Sequence, residues 1–184
     1  WMRKNSQTVG PEALAAKAGA MSTLIDSTVQ TIRRIATELR PGILDDFGLI
    51  AAIEWQLQEF ETRSGIACQL HATLDELDLE PECATAIFRV FQETLTNVAR
   101  HAEASQVEVT LAADGNWLDL TIRDNGRGIA PENVGSGKSL GLVGMRERVH
   151  LLKGLIEISG GPGRGTTVQI RVPISERLGP AGAG

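Results

Sequence analysis

The longest pattern along the chain is a stripe at alternating spacings of four and three: Leu14, Ala18, Met21, Ile25, Thr28, Ile32, Ile35 and Leu39. Neither Gly nor Pro interrupts it between Gly19 and Pro41. This pattern predicts the a/d seam of a long heptad helix, which needs a hairpin partner, a second chain or both; the bland alternative is a helix packed on its own domain. Ahead of it, residues 1–12 (WMRKNSQTVGPE) are polar and predict a loop or linker. Pro41-Gly42 ends the heptad helix and LDDFG predicts a junction. A second helix then runs from Leu49 to about Ser64, with Ile50, Ile53, Leu57 and Phe60 on one face and Gly65 as its stop.

Past Gly65 the period changes. IACQLHATL (66–74) alternates and predicts a strand, and Pro81 opens another helix. On that helix Ala84, Phe88, Phe91, Leu95, Val98 and Ala102 form the stripe that faces a core. QVEVTLA (106–112) and WLDLTIR (117–123) are period-2 strands joined by Asp114-Gly115-Asn116, a hairpin signal. A glycine-rich loop fills 124–141, a helix covers 142–153, and LIEIS (155–159) and TTVQIRVP (166–173) are two more strands around GGPGRG. Helices beside a largely antiparallel sheet predict an α+β, two-layer domain over 48–174, following a helical segment over 13–47 and leading into a disordered tail, 175–184.

Composition narrows the function. A net charge of −5 argues against nucleic acid, because neutralising phosphates takes a basic face. Cys68 and Cys83 form no CxxC pair and have no partnered histidines, so no zinc site is suggested, and two unpaired thiols fit a reducing cytoplasm. No apolar run is long enough to span a bilayer and no signal peptide is visible. The opening Trp1-Met2 reads as the start of a fragment, with any membrane anchor in a preceding segment.

Candidate chemistry concentrates in the glycine loops and in QETLTNVARHA (92–102), where Glu93, Asn97 and His101 are spaced four apart. Glu93 lies nearly opposite the apolar stripe and Asn97 to one side, so neither is a core residue; a solvated helix face is the bland alternative. GSGKS (135–139) is not a P-loop: position 132 is Glu where the signature needs Gly, and no strand leads directly into it. DNGRG (124–128) follows a strand. Asp124 there can accept the exocyclic amino group of a purine while Gly126 and Gly128 let the backbone approach a flat ring, although Asp-Asn-Gly is equally good turn chemistry. In SLGLVGMRERV (139–149), Gly141 and Gly144 sit where the loop enters a helix, whose free N–H groups suit an anion, with Lys138 just ahead.

These pieces, in this order, resemble the ATP-binding domain of the GHKL superfamily, which includes sensor histidine kinases, type II topoisomerases, heat-shock 90 chaperones and mismatch-repair ATPases. QETLTNVARHA looks like its N box, DNGRGI and GLVGMRERV its two glycine boxes, and GRGTT its closing motif. ELRPGILDDFGLIAAI, the N box and GLVGMRERV after a short lid are most similar to bacterial sensor histidine kinases that partner LuxR/NarL-type response regulators. The resemblance implies the Bergerat fold, an α/β sandwich with a mixed, mostly antiparallel sheet and helices on one face. It makes the heptad helix the second helix of a dimerisation and phosphotransfer hairpin, homodimeric in the intact protein.

The resemblance also implies roles. Asn97 is similar to the family's Mg²⁺ ligand and Glu93 to its general base. Arg100 and His101 face the triphosphate of ATP. Asp124 holds the adenine amino group, joined by Thr166. Gly126 and Gly128 shape the adenine pocket, and Gly141, Leu142 and Gly144 the phosphate end. Met145 packs near the base, and Lys138 adds charge from the lid. The phosphoacceptor histidine has no counterpart here: His71, His101 and His150 all lie in other motifs or elements. The implied activity is therefore ATP-dependent protein-histidine kinase chemistry directed at a histidine outside this chain, with relay to a response-regulator aspartate. The alternatives are an anti-sigma-factor-type serine kinase, against which the heptad seam weighs, and a non-catalytic nucleotide-sensing dimerisation module.

Overall fold

The computed structural model describes residues 21, 42–73, 77, 79–130 and 140–174. The chain divides at Pro41, and the unit from Gly42 onward carries everything below except Met21. The heptad seam apart from Met21, the linker 1–12, Lys138 and the tail from 175 lie outside the described residues.

Helix α1, Gly42–Ser64, contains the LDDFG segment where a junction is expected. The chain does break there, but only at one residue: Gly48 has φ 79° and ψ −179°, with helical turns on either side. Turn composition misleads here because Leu44 and Leu49 flank the kink and are both buried. Strand β1, Ala67–Ala72, leads to helix α2, Pro81–Asn97, which opens on its proline as predicted and continues into a π-helical turn, Val98–Ala102. Strands β2, Gln106–Asp114, and β3, Trp117–Asp124, form the expected hairpin. Helix α3, Leu140–Leu151, precedes β4, Leu155–Gly160, and β5, Thr166–Pro173.

The five strands lie in the order β1-β2-β3-β5-β4. The first pair is parallel, Ala67 opposite Gln106, because α2 carries the chain back between them. The other pairs are antiparallel. Alternation decides which face is covered. Val107, Val109 and Leu111 of β2, Leu118, Leu120 and Ile122 of β3, and Val168, Ile170 and Val172 of β5 are all buried. Their neighbours on the other face include Glu108, Asp119 and Arg171. Arg171 there pairs with Asp114 at 3.1 Å and lies 5.5 Å from the Trp117 ring.

The stripe predicted for α2 supplies the opposing layer. Phe88 and Phe91 are fully buried with ring centroids 5.9 Å apart, and Ile87 and Val90, fully buried too, widen the stripe. Each such side chain contributes roughly 1.5–3 kcal/mol on burial, so this helix is the central beam of the core. Both α1 and α3 pack against it. Its C-terminal end is thereby fixed over the end of β3, where Asp124 emerges.

Candidate functional site

A cleft of about 860 Å³ opens between the end of α2, the segment after β3, helix α3 and the inner ends of β4 and β5. Its lining includes seven of the residues singled out from sequence: Asn97, His101, Asp124, Gly128, Leu142, Met145 and Thr166. Ile122, Ile129, Ile158 and Val168 add apolar wall. Met145 closes the floor: it is fully buried and accepts a contact from the Thr94 hydroxyl at 3.6 Å, while that hydroxyl also donates to the Val90 carbonyl at 2.8 Å. A large apolar cavity with a few polar groups converging on it is what a flat heterocyclic ligand needs.

Asp124 is only 4 % exposed, and it is one of two buried polar or charged residues among those described. One of its oxygens, Oδ1, accepts the Gly126 N–H at 2.8 Å, which fixes the carboxylate against the first glycine box. Around it three segments are tied by backbone bonds. Arg127 N–H donates to Ala102 O at 2.7 Å, Gly163 N–H to Arg127 O at 2.8 Å, and Gly165 N–H to Gly126 O at 2.9 Å. Asn125 adds side-chain bonds, accepting Ser105 N–H at 2.9 Å and Gln106 N–H at 3.0 Å on Oδ1. The glycines are sterically required in this knot. Gly165 has φ 73° and its Cβ position coincides with the Asp124 carbonyl oxygen; Cβ positions at Gly126 and Gly128 fall on the carbonyls of Ala102 and Gly161.

The π-helical turn changes the reading of QETLTNVARHA. A wider turn after Asn97 breaks the α-helical phase, and Glu103 then reverses the chain in the left-handed region at φ 53°. Asn97 and His101 both line the cleft, while Arg100 is exposed and does not. Glu93 does not line the cleft either. Its carboxylate lies against Gly141 at the start of α3, where a Cβ would collide with Oε1. Gly144, one turn along, has Arg148 Nη1 3.1 Å from its Cβ position. The equal spacing therefore does not yield one trio: two members meet in the cleft and the third meets the opposing helix.

Sequence reasoning did not single out Thr94, Arg127, Ile129 or Pro162, which also line the cleft. Arg127 and Ile129 sit inside DNGRGI, so the motif itself carries their signal. Pro162 and Thr94 carried none, because their place follows from the turn between β4 and β5 and from the roll of α2. Among the described residues no group of three or more His, Cys, Asp and Glu side chains is arranged to hold a metal.

Comparison with known proteins agrees with this geometry. Residues 83–176 match the family described as histidine kinase-, DNA gyrase B-, and HSP90-like ATPase. The oxygen sensor histidine kinase NreB of Staphylococcus carnosus (strain TM300) is 37% identical over 158 residues, covering 86% of this chain and 44% of NreB. The histidine kinase domain of the Erythrobacter litoralis EL346 blue-light activated histidine kinase superposes with a TM-score of 0.60 at 26% identity, over 68% of this chain and 60% of that one. The Acinetobacter baumannii histidine kinase AdeS shares the fold, with a TM-score of 0.60 at 17% identity over 85% of this chain and 84% of its own. The chain thus spans less than half the length of NreB. With the family match covering more than half of its residues, the chain belongs to the histidine kinase-, DNA gyrase B- and HSP90-like ATPases, and it carries the ATP-binding catalytic domain of a histidine kinase.

Proposed function

We propose that this chain binds Mg-ATP in the cleft and presents its γ-phosphoryl group to a histidine outside the chain, for relay to an aspartate on a LuxR/NarL-type receiver domain. The observation that carries the reading is Asp124. A carboxylate buried at the base of an apolar cleft, with one oxygen already bonded to Gly126 N–H, is built to accept a hydrogen bond from a ligand's amino group. The second oxygen takes the adenine amino group, and Thr166 lines the same cleft. Ile129, Met145, Ile158 and Val168 enclose the ring. A cleft of about 860 Å³ has room for the whole nucleotide.

The triphosphate then extends toward Asn97 and His101 and toward Leu142 of α3. Arg100 and Lys138 add positive charge for the phosphates, as the family resemblance implies. The donor set fits a hard cation that keeps most of its waters: one amide oxygen, from Asn97, is available in the cleft, and Mg²⁺ binds in that way. When bound, that ion neutralises charge between the phosphates. Glu93 orients the incoming imidazole and accepts its proton. Transfer of this kind depends on positioning and electrostatics more than on covalent chemistry.

In the intact protein the heptad helix joins two copies through a helical hairpin, and the domain works on the cytoplasmic side, where ATP is available. No helix among the described residues is long and apolar enough to cross a membrane. The test is direct. Isothermal calorimetry should show this chain binding Mg-ATP, and γ-labelled ATP should label a hairpin supplied in trans at an acid-labile, base-stable site. Label on serine, or no heat with ATP, would refute the proposal.

A further inference from the structure

Gly141 is the second residue of α3 and its backbone lies outside the left-handed region, so no torsion there demands glycine. In a helix, alanine is favoured over glycine by up to about 1 kcal/mol. What a side chain here would meet is a single neighbour. The three atoms nearest a Cβ at this position all belong to Glu93: Oε1, which it would overlap, then Cδ at 3.0 Å and Cγ at 3.6 Å.

We propose that Gly141 is a positioning residue: the space left by its missing side chain seats the Glu93 carboxylate at the start of α3. This rests on the reading of Glu93 as the general base and adds the element that aims it. Alanine at this point keeps the backbone N–H and fits the helix, so neither the fold nor an anion held by that N–H is lost. Its methyl group instead turns the flexible end of Glu93 away.

The experiment is a double-mutant cycle in the intact kinase, with ATP affinity measured on this chain. Gly141→Ala should leave the melting temperature equal or higher and the ATP Kd within about threefold, while autophosphorylation slows about tenfold or more, the scale of a mispositioned acid–base group. In a Glu93→Gln background the same change should add less than about twofold, because the displaced group no longer acts. A loss that multiplies in the double variant, or a Kd that rises in step with the rate loss, overturns the proposal. Should Glu93→Gln leave the rate intact, the base reading falls on its own. The carboxyl-carbon resonance of Glu93, assigned by its absence in Glu93→Gln, then decides the contact: a resonance moved by Gly141→Ala sustains the seat, and an unmoved one overturns it.

Discussion

Replacing Asp124 by Asn should exchange the base preference of the cleft rather than destroy it. In the wild type, Oδ1 accepts Gly126 N–H at 2.8 Å, and an asparagine keeps that bond if its amide oxygen takes the same place. The fold is then preserved, but the amide NH₂ now points where the adenine amino group arrives, and two donors meet. The loss combines a hydrogen bond to a charged acceptor, about 1.5–3 kcal/mol, with a buried donor left unsatisfied, about 1–3 kcal/mol. A total near 3 kcal/mol corresponds to at least about 100-fold weaker ATP binding. Inosine triphosphate carries a carbonyl oxygen where ATP has the amine, so it should bind the wild type poorly and Asp124→Asn better than ATP does. Calorimetry with both nucleotides on both proteins reads all four corners. Equal losses for the two nucleotides, or an unchanged ATP affinity, would refute the assignment of Asp124 to the base.

Other positions test other parts of the site. Asn97→Ala should reduce ATP affinity in the presence of Mg²⁺ by about tenfold and leave the affinity in excess chelator nearly unchanged, as measured by parallel titrations. Gly165→Ala places a methyl group on the Asp124 carbonyl at φ 73°; it should cost more than about 1–2 kcal/mol of stability in urea unfolding and abolish ATP binding at the same time. Burial, with the Glu61 carboxylate nearby, pushes the Cys68 thiol up to about 11 from 9.0. The folded state holds that proton more tightly than the unfolded state does. The resulting stability is present in full below pH 9 and declines as pH rises from about 9 to about 11. Cys68→Ala should flatten that part of the profile of melting temperature against pH, and at pH 8 Cys68 should react slowly with a disulfide reagent.

The sheet was legible because its signal is local. Period-2 alternation in QVEVTLA, WLDLTIR and TTVQIRVP sets the buried face directly, and the observed strands follow it to within a residue or two. Asp124 was not legible from its own motif, because Asp-Asn-Gly is equally good turn chemistry; only the order of the four motifs pointed to it, and the fold places it, buried, on the cleft. What escaped is what distant segments impose. The π-helical turn is held by Ala102 O accepting from Arg127, a partner that no window on α2 contains. The contact of Glu93 with Gly141 likewise joins residues from different helices. The Gly48 kink sits in a stretch whose composition reads as a loop, yet burial of Leu44 and Leu49 keeps it helical on both sides. Glu93, Asn97 and His101, equally spaced along QETLTNVARHA but given separate roles from sequence, are separated by the fold as well.

The knot of backbone bonds joining Ala102, Gly126, Arg127, Gly163 and Gly165 has a consequence for folding. Its strands come from the end of α2, the end of β3 and the start of β5, so no one of these segments by itself holds even half of the cleft lining. Binding competence must appear late and all at once, after these far-separated segments have closed on one another. A nucleotide that recognises only this finished state acts as a ratchet on it: at a concentration one hundred times its Kd it adds about 2.7 kcal/mol to the unfolding free energy. In a cell rich in ATP, the substrate of the domain is also a guardian of its native state.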